Sequence, residues 1–252
     1  NTVSVSGSVA TNVTLTNIQT LALTGGADQD LSQTNLAGIT TVSANPGAGA
    51  TTDLTNATPG KHTLSYTGSA ANAAMTYALK TTLNTTTDSL TVNVGSASAD
   101  GTDRGDFTAN DIETLSINSA SKTATTANTL GVTAQAATLV KLGGAAALTI
   151  DATDFASEVI IDGSAMSGVL TIGSEANTDQ TIIGGSANDA ITFASADLNS
   201  NDSIDGGAGN DTVTIATNGT NTVAYGRISM TNVENLVATF NIDDGGNGAD
   251  AH

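Results

Sequence analysis

The feature that most constrains this chain is a period-two alternation of apolar and small polar residues, recurring in short runs almost from end to end. It appears as Val3-Ser-Val5, Val13-Thr-Leu15, Leu21-Ala-Leu23, Leu90-Thr-Val92-Asn-Val94, Leu115-Ser-Ile117, Leu148-Thr-Ile150, Leu170-Thr-Ile172 and Val213-Thr-Ile215. A period of two sends neighbouring side chains to opposite faces of an extended backbone, so each run predicts a β-strand with one buried face. Thr, present 44 times, fills many of the alternate positions. Its β-branched, hydroxylated side chain suits a pleated surface that faces water. The one helix-compatible stretch is Ala70 to Lys80, and with Gly68 before it and Thr after it, a short turn or strand fits as well.

Leu, Ile, Val and Phe together number 52 of 252 residues. That is about a fifth, the border below which a charged chain tends to stay unfolded, so a wide globular core is excluded. An antiparallel sandwich also alternates, but it draws on aromatic core anchors, and here there are 4 Phe, 3 Tyr and no Trp. With no Cys, disulfides, thiolate metal sites and thiol catalysis are all ruled out. The net charge of −18, with Lys and Arg scattered singly, excludes a nucleic-acid partner, since phosphate affinity needs clustered bases. No run approaches the ~20 apolar residues that span a bilayer. Asn1 in first place predicts a trimmed or fragmentary chain.

Charge divides the chain into two regions: residues 1–150, Thr-rich, carry −4, and residues 151–252, acidic, carry −14 with Arg227 as their one base. A repeat unit crosses both. Asp88-Ser-Leu-Thr-Val-Asn-Val is followed by Asp111-Ile-Glu-Thr-Leu-Ser-Ile, Asp211-Thr-Val-Thr-Ile by Asn232-Val-Glu-Asn-Leu-Val, and Val3-Ser-Val by Asn17-Ile-Gln-Thr-Leu-Ala-Leu. Each unit shows one narrow apolar row per strand and cannot close a core alone, so units must stack. The predicted fold is all-β, a solenoid or a stacked sandwich of short strands, with little or no helix.

The sharpest local signal is Gly206-Gly207-Ala208-Gly209-Asn210-Asp211-Thr212-Val213-Thr214, a full match to G-G-x-G-x-D followed by a strand-forming triplet. Glycines permit a tight turn that aims carbonyls inward, the Asp supplies a hard charged oxygen, and the apolar residue enters a short strand. A degenerate copy begins at Gly184 and ends in Asp189, with Ala187 in place of the third glycine; another begins at Gly245 and ends in Asp250. The first two lie 22 residues apart, against about 18 for two nine-residue half-turns, which predicts irregular stacking and no obligatory shared ion. Asp197, Asp202, Asp205, Asp243 and Asp244 offer further oxygens beside these turns. The segment from Asp197 is not an EF-hand loop: Asp202 stands where Gly is needed and no Glu closes it.

A second acidic focus, Asp100, Asp103 and Asp106, is read either as a cation loop or as a solvated connection. The tripeptide Arg104-Gly105-Asp106 within it is read as chance. Glu113 and Glu234, at equivalent places in the repeat, either ligate an ion or pair with a neighbouring strand. For catalysis the inventory is poor. His62 and His252 allow neither a zinc motif nor a Ser-His-Asp triad, no G-x-S-x-G elbow exists, and no enzyme activity is expected.

The glycine turns resemble those of the RTX calcium-binding proteins, which bacteria export by type I secretion. The wider pattern around Asp88, Asp111 and Asn232 is similar to the crystalline surface-layer proteins of Gram-negative bacteria within that superfamily. The resemblance implies a calcium-binding parallel β-solenoid or β-roll-like stack with Ca2+ as the bound ion, an extracellular or cell-surface location, and lateral self-assembly. The chain is thus expected to be a secreted structural protein whose partner is itself, with cell-surface polysaccharide as a second partner. Alternatives are an adhesin or ice-binding solenoid, motivated by the Thr excess, and the calcium-binding tail of a secreted hydrolase. For ice, Thr-x-Thr motifs do not recur at a fixed sequence period.

Overall fold

In a computed structural model, residues 1–67, 73–98, 101–174, 179–194, 198–216 and 229–238 are described. The first strands are β1 (Thr2–Val5), β2 (Thr20–Thr24), β3 (Gln29–Asp30), β4 (Thr41–Asn45), β5 (Thr51–Ala57), β6 (Thr63–Tyr66) and β7 (Ala74–Leu79). They are followed by β8 (Ser89–Ser96), β9 (Asp103–Thr108), β10 (Thr114–Ser121), β11 (Asn128–Thr133), β12 (Leu139–Gly144), β13 (Leu148–Asp154) and β14 (Glu158–Met166). The last are β15 (Leu170–Gly173), β16 (Asp179–Ile183), β17 (Ala190–Ala194), β18 (Ser203–Asp205), β19 (Thr212–Ala216), β20 (Ser229–Thr231) and β21 (Asn235–Ala238). The single helical element among the described residues is a 3-10 turn at Thr34–Leu36.

Among the described residues, even-numbered strands from β2 onward join β1 in one sheet of 11, and odd-numbered strands from β3 form a second sheet of 10. Every pairing is parallel, between strands one coil apart. The chain is therefore a parallel β-solenoid of about 10 turns. Parallel pairing is what the alternation needs: a strand with one narrow apolar row is buried only if the next coil repeats that row above it.

The core is built from such rows. In the first sheet, Leu21, Val42, Leu64, Val92, Ile117 and Leu142 stack in register, and Leu115, Val140, Ile161, Ile182 and Ile204 form a second row. In the second sheet, Leu130, Ile150, Ile172, Ile191 and Val213 face them. All are 3 % exposed or less. At ~25 cal/mol per Å2 of apolar surface, each coil adds one stacked aliphatic layer, which is how a fifth of the chain suffices for a core.

Seven of the eight alternating runs are strands. The exception is Val13-Thr-Leu15, which lies in the first coil where no strand of the second sheet forms. Val13 is instead exposed in a turn closed by its own N–H to the Ala10 carbonyl and by Asn35 Nδ2 on the carbonyls of Ala10 and Val13. Within the helix-compatible stretch, Ala74–Leu79 is strand β7.

The repeat unit proves to be one coil. Asp88 and Glu113 flank adjacent rungs β8 and β10 of the first sheet, Asp211 and Glu234 flank β19 and β21 of the second, and Asn1 and Gln19 flank β1 and β2. The Asn of the motif takes positive φ at Asn17 (58°) and Asn232 (51°), a conformation that Asn tolerates better than most residues.

The outward faces differ along the first sheet. From β1 to β10 the register runs without a shift. It aligns Thr2, Thr20, Thr41, Thr63, Thr91 and Ser116 in one outward row. A second row holds Ser4, Ala22, Ser43, Ser65, Asn93 and Asn118. The first row continues beyond β10 as Lys141, Asp162, Ile183 and Asp205. The second sheet shifts register at β5/β7 and β9/β11 over the same coils, and at β11/β13 just beyond them.

Candidate functional site

The two glycine-turn acids sit one above the other. Ala190 pairs with Thr212, so the stretch from Asp189 to Asp211 is one complete coil, and the expectation of irregular stacking is corrected. Both carboxylates point inward, at 2 % and 1 % exposure. Asp189 Oδ1 accepts the Leu170 N–H at 2.8 Å and its Oδ2 accepts the Gly185 N–H at 2.5 Å. Asp189 N–H in turn donates to Asp211 Oδ1 at 2.7 Å, and Asp211 N–H to Glu234 Oε2 at 2.8 Å. Four successive coils are thus clipped together by carboxylates on backbone donors, each bond charge-assisted.

The same clip recurs elsewhere. Asp202 accepts the Gln180 N–H (2.9 Å) and the Asn199 N–H (2.7 Å), and Glu113 accepts the Asp88 N–H at 2.7 Å. Asp111 accepts the Leu79 N–H at 3.1 Å. Of the two readings of Glu113 and Glu234, pairing with a neighbouring strand is what their geometry displays. Burial raises the Asp189 carboxyl above the ordinary carboxylate range; the Leu170 and Gly185 donors oppose that, and Asp211 adds to it.

The glycines are required by the stacking. A Cβ on Gly184 would strike the Gly206 carbonyl, and one on Gly206 would strike the Asn232 carbonyl, closer than real contacts allow. Gly207 and Gly209 take φ of 90° and 140°, and any side chain there would meet the Gly185 and Ala187 carbonyls.

One oxygen in this ladder differs from the rest. Asp211 Oδ2 is buried and accepts no hydrogen bond among the described residues. It lies 2.8 Å from where a Gly206 Cβ would stand, and the Asn232 carbonyl faces the same spot. A hard carboxylate oxygen and a carbonyl converging on a glycine cradle is a donor set that fits Ca2+ in kind. Asp205 is beside it, with Oδ1 engaged by Gly207 N–H (3.0 Å) and Asn232 Nδ2 (2.7 Å). In number the fit is incomplete: Ca2+ takes about six to eight oxygens, and among the described residues no three Asp, Glu or His side chains form a metal-holding group. Asp197, Asp243, Asp244, Asp250 and Asp100 lie outside the described residues.

Asp103 and Asp106 are not on a loop. Both are exposed on strand β9, where Gly105 (φ 75°) bulges against the Ala73 carbonyl, and Asp103 Oδ1 accepts the Gly105 N–H at 2.8 Å. Arg104 between them turns into the core at 2 % exposure, so the Arg-Gly-Asp tripeptide is not displayed as a unit. Its guanidinium donates to Asn128 Oδ1 (3.0 and 2.7 Å) and the Thr67 carbonyl (3.1 Å). Asn128 Nδ2 continues to Ser119 Oγ at 2.9 Å and the Ala120 carbonyl at 3.0 Å.

Sequence reasoning missed this buried seam, since no motif marks it. It also missed a cavity of about 550 Å3 lined by Thr138, Glu158, Asp179 and Asn201. There Glu158 and Asp179 are side by side in register, with Asn199 and Asn201 Nδ2 on the Asp179 carboxylate at 3.2 and 2.9 Å. Among the described residues no helix is long and apolar enough to cross a membrane. No protein-family model, curated protein or solved structure matches the chain.

Proposed function

We propose that the chain is a secreted structural protein that self-assembles with calcium into a bacterial surface layer or extracellular filament. The observation that carries this reading is the uncovered end of the rung stack. Among the described residues, β21 ends the second sheet with Leu236 in register with the buried Val213, yet Leu236 is 56 % exposed. At the opposite end β1 has, among the described residues, a neighbour on one side alone, and Val3 and Val5 are only partly buried against the core. Strand edges with unpaired backbone groups and an open apolar row are templates for another copy.

Calcium enters through Asp211 Oδ2 and the acidity of residues 151–252. An ion at the Gly206 cradle would neutralise charge where a net −18 opposes compaction. It would supply folding free energy by linkage at extracellular millimolar calcium and little at cytosolic levels. Export by type I secretion, unfolded and before calcium is met, is consistent with that difference. Cell-surface polysaccharide remains the proposed second partner.

The test is electron microscopy and sedimentation of the full chain with millimolar calcium and with chelator. Ordered sheets or fibres that disperse on chelation are expected. A chain that stays monomeric in calcium at high concentration overturns the assembly reading, and an unchanged melting temperature on chelation overturns the calcium reading.

A further inference from the structure

The outward face of the first sheet, from β1 to β10, carries twelve register positions in two rows, and none bears a charge or an aromatic ring. Nine of the twelve are hydroxyls, and none of these nine makes a hydrogen bond to the protein among the described residues, although Thr24, Thr85 and Ser119 elsewhere do. The coil from Thr2 to Thr20 is much shorter than the one from Thr63 to Thr91, yet the hydroxyl returns to the same place each time. The turns and the opposite sheet absorb the irregularity, the latter through its register shifts at β5/β7 and β9/β11. Strand propensity alone does not account for this, because the same row carries Lys141, Asp162 and Ile183 in later coils.

We propose that this face binds ice. Rungs of a sheet repeat at about 4.8 Å and residues i and i+2 of a strand at about 6.6 Å, so the six hydroxyls of the first row, with Ser4, Ser43 and Ser65 of the second, lie on a net of about those dimensions. In a tetrahedral water network with O···O of about 2.75 Å, second-neighbour oxygens lie about 4.5 Å apart and the layers repeat at about 7.3 Å. Both spacings agree to within about a tenth. A hydroxyl can donate and accept, as each lattice water does, so the array can stand in for a layer of waters without an unsatisfied group.

The other occupants fit less well. Twelve positions at about 32 Å2 each make about 380 Å2, well below the ~800 Å2 per partner of a stable protein interface. The patch offers no ring for a sugar to stack on and no acid for a cation, though the chain as a whole carries −18. Ice binding by this face does not require that the chain assemble.

The experiment is growth of an ice hemisphere from a solution of the full chain, with thermal hysteresis read in parallel. Incorporation of the chain into ice is expected. The double variant Thr41→Val, Thr63→Val keeps the branched shape, removes two central hydroxyls and should reduce hysteresis by about tenfold. Thr171→Val, outward on the second sheet, should leave it unchanged. Melting curves by circular dichroism check that each variant folds, and Ser43→Ala is the reserve should the double variant not fold. Exclusion of the wild-type chain from ice, full activity in the double variant, or adsorption to crystalline polysaccharide in place of ice would each overturn the proposal.

Discussion

The coils before and after β12 solve the same stacking problem with different chemistry. In the earlier coils the interior is irregular and partly polar: Tyr66, Tyr77 and Phe107 fill it beside buried Arg104, Asn128 and His62. In the later coils it is mainly aliphatic, with Phe155, Phe193 and Gln180 also buried, and the close glycine contacts and carboxylate clips, present in the earlier coils at Gly95, Gly105, Asp111 and Glu113, run without a break from one coil to the next. A solenoid can thus tolerate variable coil length where side chains set the spacing.

Four measurements sharpen or break this contrast. The largest effect is expected for Gly206→Ala, which forces a methyl against the Asn232 carbonyl and should cost more than ~3 kcal/mol in chemical denaturation. Gly47→Ala, in an open turn of an early coil, should change stability by less than ~0.5 kcal/mol. Next is Asp189→Ala, which strands the Leu170 and Gly185 N–H groups and should cost about 3 kcal/mol. If both glycine variants behave alike, the contrast fails.

The third is a pH test with opposite signs in the two regions. His62, 5 % exposed and 3.2 Å from the Tyr77 hydroxyl through Nδ1, is pushed down to about 4, first by burial and then by Lys61. Unfolded chain takes up a proton below the ordinary value near 6.5 while folded chain does not, so stability falls as pH drops from 6.5 to about 4. The loss should approach about 2–3 kcal/mol and disappear in His62→Phe. Asp189, held above its ordinary range, instead carries a penalty at neutral pH that is relieved as pH falls through its raised value. Hydrogen exchange across a pH series should show protection weakening around β6 and not around β17. The smallest effect is for Thr63→Val, whose hydroxyl has no protein partner among the described residues: less than ~0.5 kcal/mol in stability.

Much of the fold was legible in the sequence because alternation and repeat act through burial, which is local in pattern. Leu115-Ser-Ile117 and Leu170-Thr-Ile172 could hardly be anything but strands, and one narrow row per unit demanded stacking. The coil length was not legible: the spacing of Asp189 and Asp211 looks irregular until register shows it to be one full turn. The candidate site was half legible. Gly206 and Asp211 were identifiable from their motif, but whether an Asp faces an ion or a neighbouring N–H depends on the coil above it, which no local pattern encodes. The hydroxyl rows escaped notice because unequal coils, short from Thr2 to Thr20 and long from Thr63 to Thr91, hide a regular array in space.

The carboxylate clips also have a direction. The donors Leu79, Asp88, Leu170, Gln180, Asp189 and Asp211 are each held by an acid from a later coil; Asp53, held by the earlier Asp28, runs the other way. A coil is therefore latched by its successor. Trimming from the C-terminal side should leave a terminal rung with bare amides that frays, whereas trimming from the N-terminal side should leave a terminal carboxylate that water readily accepts, so the stack should peel from one end more easily than from the other.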